Sequence, residues 1–366
     1  MWILPTLTFW SSLGLLTYTY VGYPLGIKAL ARLRPRRVRS APLEPSVSVV
    51  MAAHNEAARV GAKLDNLLGL DYPADKLEII VASDGSDDGT DEVVHGFAQR
   101  GVRLVRLERQ RGKACALNAG VALARGEVVV FCDVRQVIEA GALRALVSAF
   151  GDPQVGAVSG ELIMESAKGP GVYWRYEKMI RAAEGEVDSV VGATGALYAI
   201  RRHLFRELPA QCLLDDVFTP MHIVLAGYRV LFEPGARCSD QEAPVAGEFS
   251  RKARTLAGNF QLLTQLPALL SPVHNRVFFQ FLSHKLLRLA CPVALGTLLA
   301  SNMVLVATGA PGWPFYVVTL SGQLAMYGLA LRAGLLGGEP GKLARTSHTF
   351  VVLNAAAVEG FRRWVK

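Results

Sequence analysis

Three patterns of apolar and polar residues follow one another along the chain. From Met1 to Ile27 no charged residue occurs, and Lys28, Arg32, Arg34, Arg36, Arg37 and Arg39 then come in close succession. A helix needs about 20 apolar residues to cross a bilayer, so this run predicts a transmembrane helix over residues 1–30. The arginines that follow it place its far end in the cytoplasm by the positive-inside rule. A cleaved secretory leader is the competing reading, and "ALA" at 29–31 has the small residues of a cleavage site. The start lacks the positive charge of such a leader, however, and the arginines stand on the wrong side of the apolar run.

Between residue 46 and about 240 the pattern changes. "VSVVMAAHN" (47–55), "LEIIVASDG" (77–85), "VRLVRLE" (102–108) and "EVVVFCD" (127–133) are β-branched and nearly continuous in apolar residues. Helical stretches at 56–68, 88–100 and 113–124 separate them. Strands of this kind are buried on both faces, which predicts an α/β fold with a mostly parallel sheet and helices on both faces. Ligands of such sheets bind beyond the carboxyl ends of the strands. His54, Asn55, Glu56, Asp84 and Asp133 each fall directly after a predicted strand.

The third pattern is again apolar. No charge occurs between Arg288 and Arg332, and "GAPGWP" at 309–314 interrupts the run with turn residues. This predicts a transmembrane hairpin over 288–332. The shorter "TSHTFVVLNAAAV" leaves residues 346–366 as an interfacial or transmembrane C-terminal segment. The expected order is therefore an N-terminal helix at 1–30, a cytoplasmic domain at 46–250, interfacial helices at 251–287, the hairpin and the last segment.

Composition alters this picture little. The hydrophobic share of 51% is concentrated at the two ends, and the net charge of +8 at the membrane-flanking arginines, residues 251–254 and residues 362–366. Anionic headgroups account for such a distribution, and no nucleic-acid module is visible because aromatic and basic residues do not alternate on a sheet. The five cysteines form no CxxC pair and show no histidine spacing for zinc, which fits a reduced domain. Neither a P-loop, a GxGxxG turn nor an HExxH motif is present, which argues against a dinucleotide dehydrogenase or a P-loop enzyme. A carboxylate-rich strand edge suits a nucleotide-sugar held with magnesium or manganese, both of which prefer hard oxygen ligands.

"VVMAAHNE", "IIVASDGSDDGT", "RGKACALNAG" and "VVVFCDVR" occur in the order and spacing of the inverting family 2 glycosyltransferases, the group of cellulose, chitin and hyaluronan synthases. "VVGATGALYAIRR" (190–202) resembles their acceptor-side loop, "LLDDVFTPMHIVLAGYRVLFEP" (213–234) the segment with the catalytic base, and "RKARTLAGN" (251–259) the place of their Gln-x-x-Arg-Trp. The resemblance covers about residues 46–290. It implies the glycosyltransferase A-type fold and a membrane-bound enzyme of polysaccharide synthesis. It also implies an inverting transfer, from a nucleoside-diphosphate sugar, most simply a UDP-sugar, to a saccharide or lipid-linked acceptor.

The same resemblance assigns roles. Asp84 contacts the nucleotide base, where a carboxylate can accept from a uracil N–H or a ribose hydroxyl; an ordinary turn is the bland reading. Glu56 faces the ribose or favours the helix start by its charge. Lys113 opens a helix, where a diphosphate is the natural occupant. Asp216 is the general base, taking the acceptor's proton as the new bond forms, and Asp215 its supporting acid, although either can simply start a helix. Arg254, one helical turn from Arg251, faces the diphosphate, or else both belong to a basic patch on lipid. Asp133 reaches the metal or the ribose.

Two departures stand out. Arg135 occupies the place of the usual second metal carboxylate, so a magnesium or manganese ion would be held by Asp133, phosphate oxygens and water, or Arg135 would meet the diphosphate itself. Thr255 replaces the tryptophan that those synthases place near the acceptor sugar, which puts processive synthesis in question. These departures motivate an alternative, a catalytically silent nucleotide- or lipid-binding subunit of a polysaccharide synthesis complex. A soluble nucleotidyltransferase is a third reading. With so few spans, an oligomer or an export partner would have to supply a complete channel.

Overall fold

The computed structural model describes residues 2–165, 172–241, 247–335 and 341–366. Helix α1 (Ile3–Thr17) continues through a π-helical turn at Tyr18–Gly22 into α2 (Tyr23–Leu33). The alternating region then begins: β1 (Val47–Ala53), α3 (Ala57–Leu68), β2 (Leu77–Asp84), α4 (Thr90–His95), β3 (Val102–Leu107), α5 (Lys113–Leu123) and β4 (Val128–Cys132). After β5 (Val137–Ile138), α6 (Ala142–Ser148) and β6 (Val155–Glu165) come α7 (Val172–Val187), β7 (Leu197–Arg201), α8 (Asp215–Leu225) and β8 (Arg229–Gln241). The chain ends in helices α9 (Glu248–Gln265), α10 (Phe278–Phe281), α11 (Leu287–Ala307), α12 (Trp313–Leu335) and α13 (Lys342–Val365).

The strands form one eight-stranded sheet in the order β3-β2-β1-β4-β7-β6-β8-β5. β1 pairs in parallel with β2 and β4, and β2 with β3, whereas β7 runs antiparallel to both β4 and β6. The apolar runs explain the centre of the sheet. All five residues of β4 are buried, as are Val47, Val49, Val50 and Met51 of β1. Helix α3 buries Val60, Leu64 and Leu67, at spacings of four and three that form one face. Truncating Leu64 to alanine there costs about 2–5 kcal/mol. Helix α5 lies so close to the sheet that a Cβ at Gly120 would come within 2.6 Å of Val50 Cγ1.

Two expectations need correction. The helix foreseen at 88–100 is only α4 followed by a short turn at Ala98–Arg100, because Gly96 follows the first piece and Gly101, at φ 86°, ends the second. The end of the segment read as an acceptor-side loop, 190–202, is the strand β7, inserted between β4 and β6.

The chain packs as two units. One comprises Leu30–Ala243 and Gln261–Phe278 and contains the sheet; the other comprises Met1–Ala29, Pro244–Phe260 and Phe279–Lys366. In the helical unit Phe9 is buried against Leu298, Leu305 and Tyr316, and Ser12 bonds Thr297 at 2.9 Å. The ring of Phe260 stacks on Trp364 at 5.8 Å. Among the described residues, two helices are long and apolar enough to cross a membrane, Phe278–Ala307 and Trp313–Leu335. The N-terminal helix, with its many Thr, Ser and Tyr residues, is not among them.

Candidate active site

The carboxyl ends of β1, β2 and β4 and the start of α8 gather the polar side chains of the sheet unit. Asp84 ends β2 and is almost fully buried. Its Oδ1 accepts the Arg111 backbone N–H at 2.7 Å and its Oδ2 that of Gly112 at 2.8 Å. Gly85 makes this approach possible. It has φ 65°, and a Cβ there would lie 2.5 Å from the Arg109 carbonyl carbon, so only glycine lets the two loops close. His54 Nδ1 lies 2.9 Å from the Asp84 backbone oxygen.

The neighbouring loops are tied together in the same way. Asn55, in the left-handed conformation at φ 54°, donates to Asp87 Oδ1 at 2.9 Å and accepts the Asp87 N–H at 3.1 Å. Asp88 accepts the backbone N–H groups of Ala57 and Thr90, each at 3.0 Å, and these bonds with the Thr90 hydroxyl hold its carboxyl below the usual range. Glu56 stands just before α3, donates its N–H to Thr90 Oγ1 at 2.8 Å and pairs with Arg59 at 3.1 Å.

Asp84 thus fixes residues 111–112, and these fix the start of α5, where Lys113 is the first helical residue. The Lys113 ammonium lies 2.9 Å from Asp133 Oδ1 and 3.3 Å from Asp215 Oδ1. Burial works against its charge, but Asp215, Asp133 and Asp216 outweigh burial and raise its pKa well above the ordinary lysine value. It is a permanent cation among three carboxylates. Asp215 is 6% exposed, and its Oδ2 is buried without a hydrogen-bond partner. Beneath the cluster Tyr198 stacks on Phe131 at 4.7 Å; burial, then the charges of Asp215 and Asp216, push its phenol pKa up and keep it protonated.

Asp216 is held from the loop before β7. The Gly195 N–H donates to its Oδ2 at 3.0 Å, and the Ala193 N–H to its backbone oxygen at 2.7 Å. Ser159 Oγ in turn accepts the Thr194 N–H at 3.0 Å and a guanidinium N–H of Arg181 at 2.6 Å. Gln261 steadies the approach to α8, accepting the Leu213 N–H at 3.0 Å and donating to the Gln211 carbonyl at 2.8 Å. Ser159, Arg181 and Gln261 carry no local motif, so nothing in the sequence marked them.

Lys113, Asp133, Asp215 and Asp216 therefore come together, with Asp84 one loop away. Arg251 and Arg254 belong to the other unit and are exposed on α9. Arg135 does not stand free for a diphosphate: its guanidinium is bonded to Asp240 of β8. Among the described residues no three acidic, histidine or cysteine side chains gather as a metal cage. Of the carboxylates in this cluster, Asp133 is the one that would hold a divalent cation, with further ligands from a diphosphate and water.

Residues 48–209 match the model of glycosyl transferase family 2. That stretch is similar to the domain of this family. Over 216 residues it is 29% identical to the probable glycosyltransferase YdaM of Bacillus subtilis (strain 168), covering 54% of this chain and 51% of that protein. Over 230 residues it is 27% identical to a poly-beta-1,6-N-acetyl-D-glucosamine synthase of Staphylococcus epidermidis, covering 59% and 55%. The chain thus spans about half the length of the curated relatives it matches. Its structure is similar to the mannosyltransferase PcManGT of Pyrobaculum calidifontis, solved with GDP-Man and Mn2+, with a TM-score of 0.76, 26% identity and 97% of each chain covered. The expected α/β fold of the glycosyltransferase A type, with a mostly parallel sheet, is borne out by that similarity.

Proposed function

We propose that this chain is a membrane-bound inverting glycosyltransferase that moves a sugar from a nucleoside-diphosphate donor to a saccharide or lipid-linked acceptor, leaving a β-linkage. The observation that carries the reading is the Lys113 ammonium set between Asp133 and Asp215 at the carboxyl edge of the sheet. A fixed cation beside carboxylates is what a departing diphosphate and an activated hydroxyl need together. It also speaks against the catalytically silent reading, which has no use for a buried carboxylate oxygen without a partner.

In this mechanism the acceptor oxygen attacks the anomeric carbon as the bond to the diphosphate oxygen breaks, and the configuration inverts. Asp216 takes the proton of the attacking hydroxyl, its carboxylate held in place by the Gly195 N–H on Oδ2. Lys113 takes up the negative charge that develops on the leaving group. Asp215 keeps Lys113 charged and in place. Asp84 and Glu56 line the nucleoside side, with Asp84 shaping the loop that carries Lys113. A divalent magnesium or manganese ion, when bound at Asp133, neutralises diphosphate charge.

The donor base has two candidates. The implied UDP stands beside GDP, which the full-length similarity to a mannosyltransferase solved with GDP-Man favours. The proposed topology places the catalytic unit in the cytoplasm, with α11 and α12 as the hairpin and the N-terminal helix as a third span. Arg251 and Arg254 act at the donor or on lipid headgroups.

The test is turnover by the detergent-purified chain with UDP- and GDP-sugars, reading nucleotide release and anomeric configuration, beside calorimetric titration with UDP and GDP. A β-linked product lost in Asp216→Asn supports the proposal. An α-linked product would remove the inverting mechanism, and nucleotide binding without turnover on any acceptor would restore the silent subunit.

A further inference from the structure

Position 135 holds an arginine where a second cation-binding carboxylate would stand, but the fold brings the Asp240 carboxylate to that arginine's guanidinium. β5 pairs antiparallel with β8, Val137 opposite Ser239 and Ile138 opposite Cys238, so the register sets Gln136 opposite Asp240. Arg135 and Gln136 both donate to Asp240 Oδ2, the latter at 2.9 Å. Asp240 is 3% exposed and Gln136 5%. Yet Asp240 Oδ1 and Gln136 Oε1 are both buried without a hydrogen-bond partner among the described residues.

Two buried acceptor oxygens that lack a donor are costly. A buried carboxylate served by a half-exposed arginine is equally poor as a device for stability, since desolvation offsets most of the attraction. Both costs have a use if the oxygens are there for a cation. Lys63, itself buried, donates to the Gln136 carbonyl at 2.7 Å and pins the bend that carries Asp133, Arg135 and Gln136.

We propose that Asp240 supplies the carboxylate that position 135 lacks, completing with Asp133 a divalent-cation site, and that Arg135 guards it until a diphosphate arrives. The guanidinium fork matches phosphate oxygens as well as it matches a carboxylate. A donor diphosphate therefore draws Arg135 away and frees Asp240 for the ion. Cation binding thereby becomes conditional on the nucleotide. This rests on the donor reading above, and the two can fail separately.

The experiment follows Mn2+ by electron paramagnetic resonance of the free ion in the detergent-purified chain, with and without UDP or GDP, and needs no turnover. Wild type is expected to bind Mn2+ at least tenfold more tightly with nucleotide than without. Asp240→Asn should lose that gain while still binding nucleotide in the absence of metal, and Arg135→Gln should bind Mn2+ tightly with no nucleotide present. If Asp240→Asn kept wild-type Mn2+ affinity with nucleotide, the proposal would be wrong. Should that variant not fold, Arg135→Gln decides alone: Mn2+ affinity equal to wild type without nucleotide overturns it. Absence of UDP and GDP binding in the wild type would strike the donor reading instead, and the Arg135→Gln comparison would still stand.

Discussion

Asp84 and Asp215 look alike from a distance. Both are nearly buried carboxylates at the carboxyl edge of the sheet, exposed by 4% and 6%. Their surroundings differ completely. Asp84 has each oxygen on a backbone N–H, so its charge is spent in closing one loop onto another. Asp215 has one oxygen on Lys113 and the other on nothing. A satisfied carboxylate rigidifies, whereas an unsatisfied one held beside a fixed cation is kept for a partner that comes and goes. The difference separates the frame of the site from its chemistry.

The comparison can be broken by substitution, and the largest effect is expected beside Asp215. Asp216→Asn should lower turnover by about 10²–10⁴-fold, the usual worth of a positioned general base, with nucleotide affinity retained in titration calorimetry. An unchanged rate would move the base elsewhere. Next comes the contrast itself. Asp84→Ala should cost about 2–3 kcal/mol, since two charge-assisted bonds to backbone N–H groups vanish, seen as a lower thermal midpoint in detergent. Asp215→Asn should lower that midpoint less than Asp84→Ala does, because one of its oxygens bonds nothing in the fold and Asp133 still holds Lys113. If both variants were equally unstable, the division into frame and chemistry would collapse.

Lys113→Met should weaken UDP or GDP binding by about tenfold, the share of one ion pair with a phosphate, and lower turnover further. Equal calorimetric affinity for wild type and variant would take the diphosphate away from α5. The smallest effect concerns pH. Burial raises the Glu78 pKa, but bonds from the Ser48 hydroxyl and the Arg125 and Gly126 N–H groups win, so the folded value lies below 4.5. A group lowered in the folded state stabilises above its unfolded pKa, and that contribution is lost as pH falls through the folded one. Wild type should therefore lose thermal stability below about pH 4.5 more steeply than Glu78→Gln, whose side chain does not titrate. Parallel curves would show that Glu78 has no part in the acid response.

Much of the frame was legible in the sequence because its causes are local. Continuous apolar runs made β1, β2 and β4 readable, the Gly-Lys step marked the start of α5, and the strand ends placed Asp84 and Asp133 at the edge. The apolar stretch after Arg288 likewise foretold α11 and α12. β7 was not foreseen, because whether "ALYAIRR" pairs with a strand depends on β4 and β6 being there to receive it.

What the sequence by itself determined about this protein is the alternation of buried strands and helices and the identity of the acids at their ends. Those follow from burial periodicity and turn chemistry within a few residues. Only the tertiary structure decided what each acid does. Whether Asp84 meets two N–H groups, whether Lys113 meets Asp215, and whether Arg135 faces a diphosphate or Asp240, 105 positions away, are set by the sheet order and strand register. Local pattern fixes where a charge is; only the folded neighbourhood fixes whether that charge is satisfied.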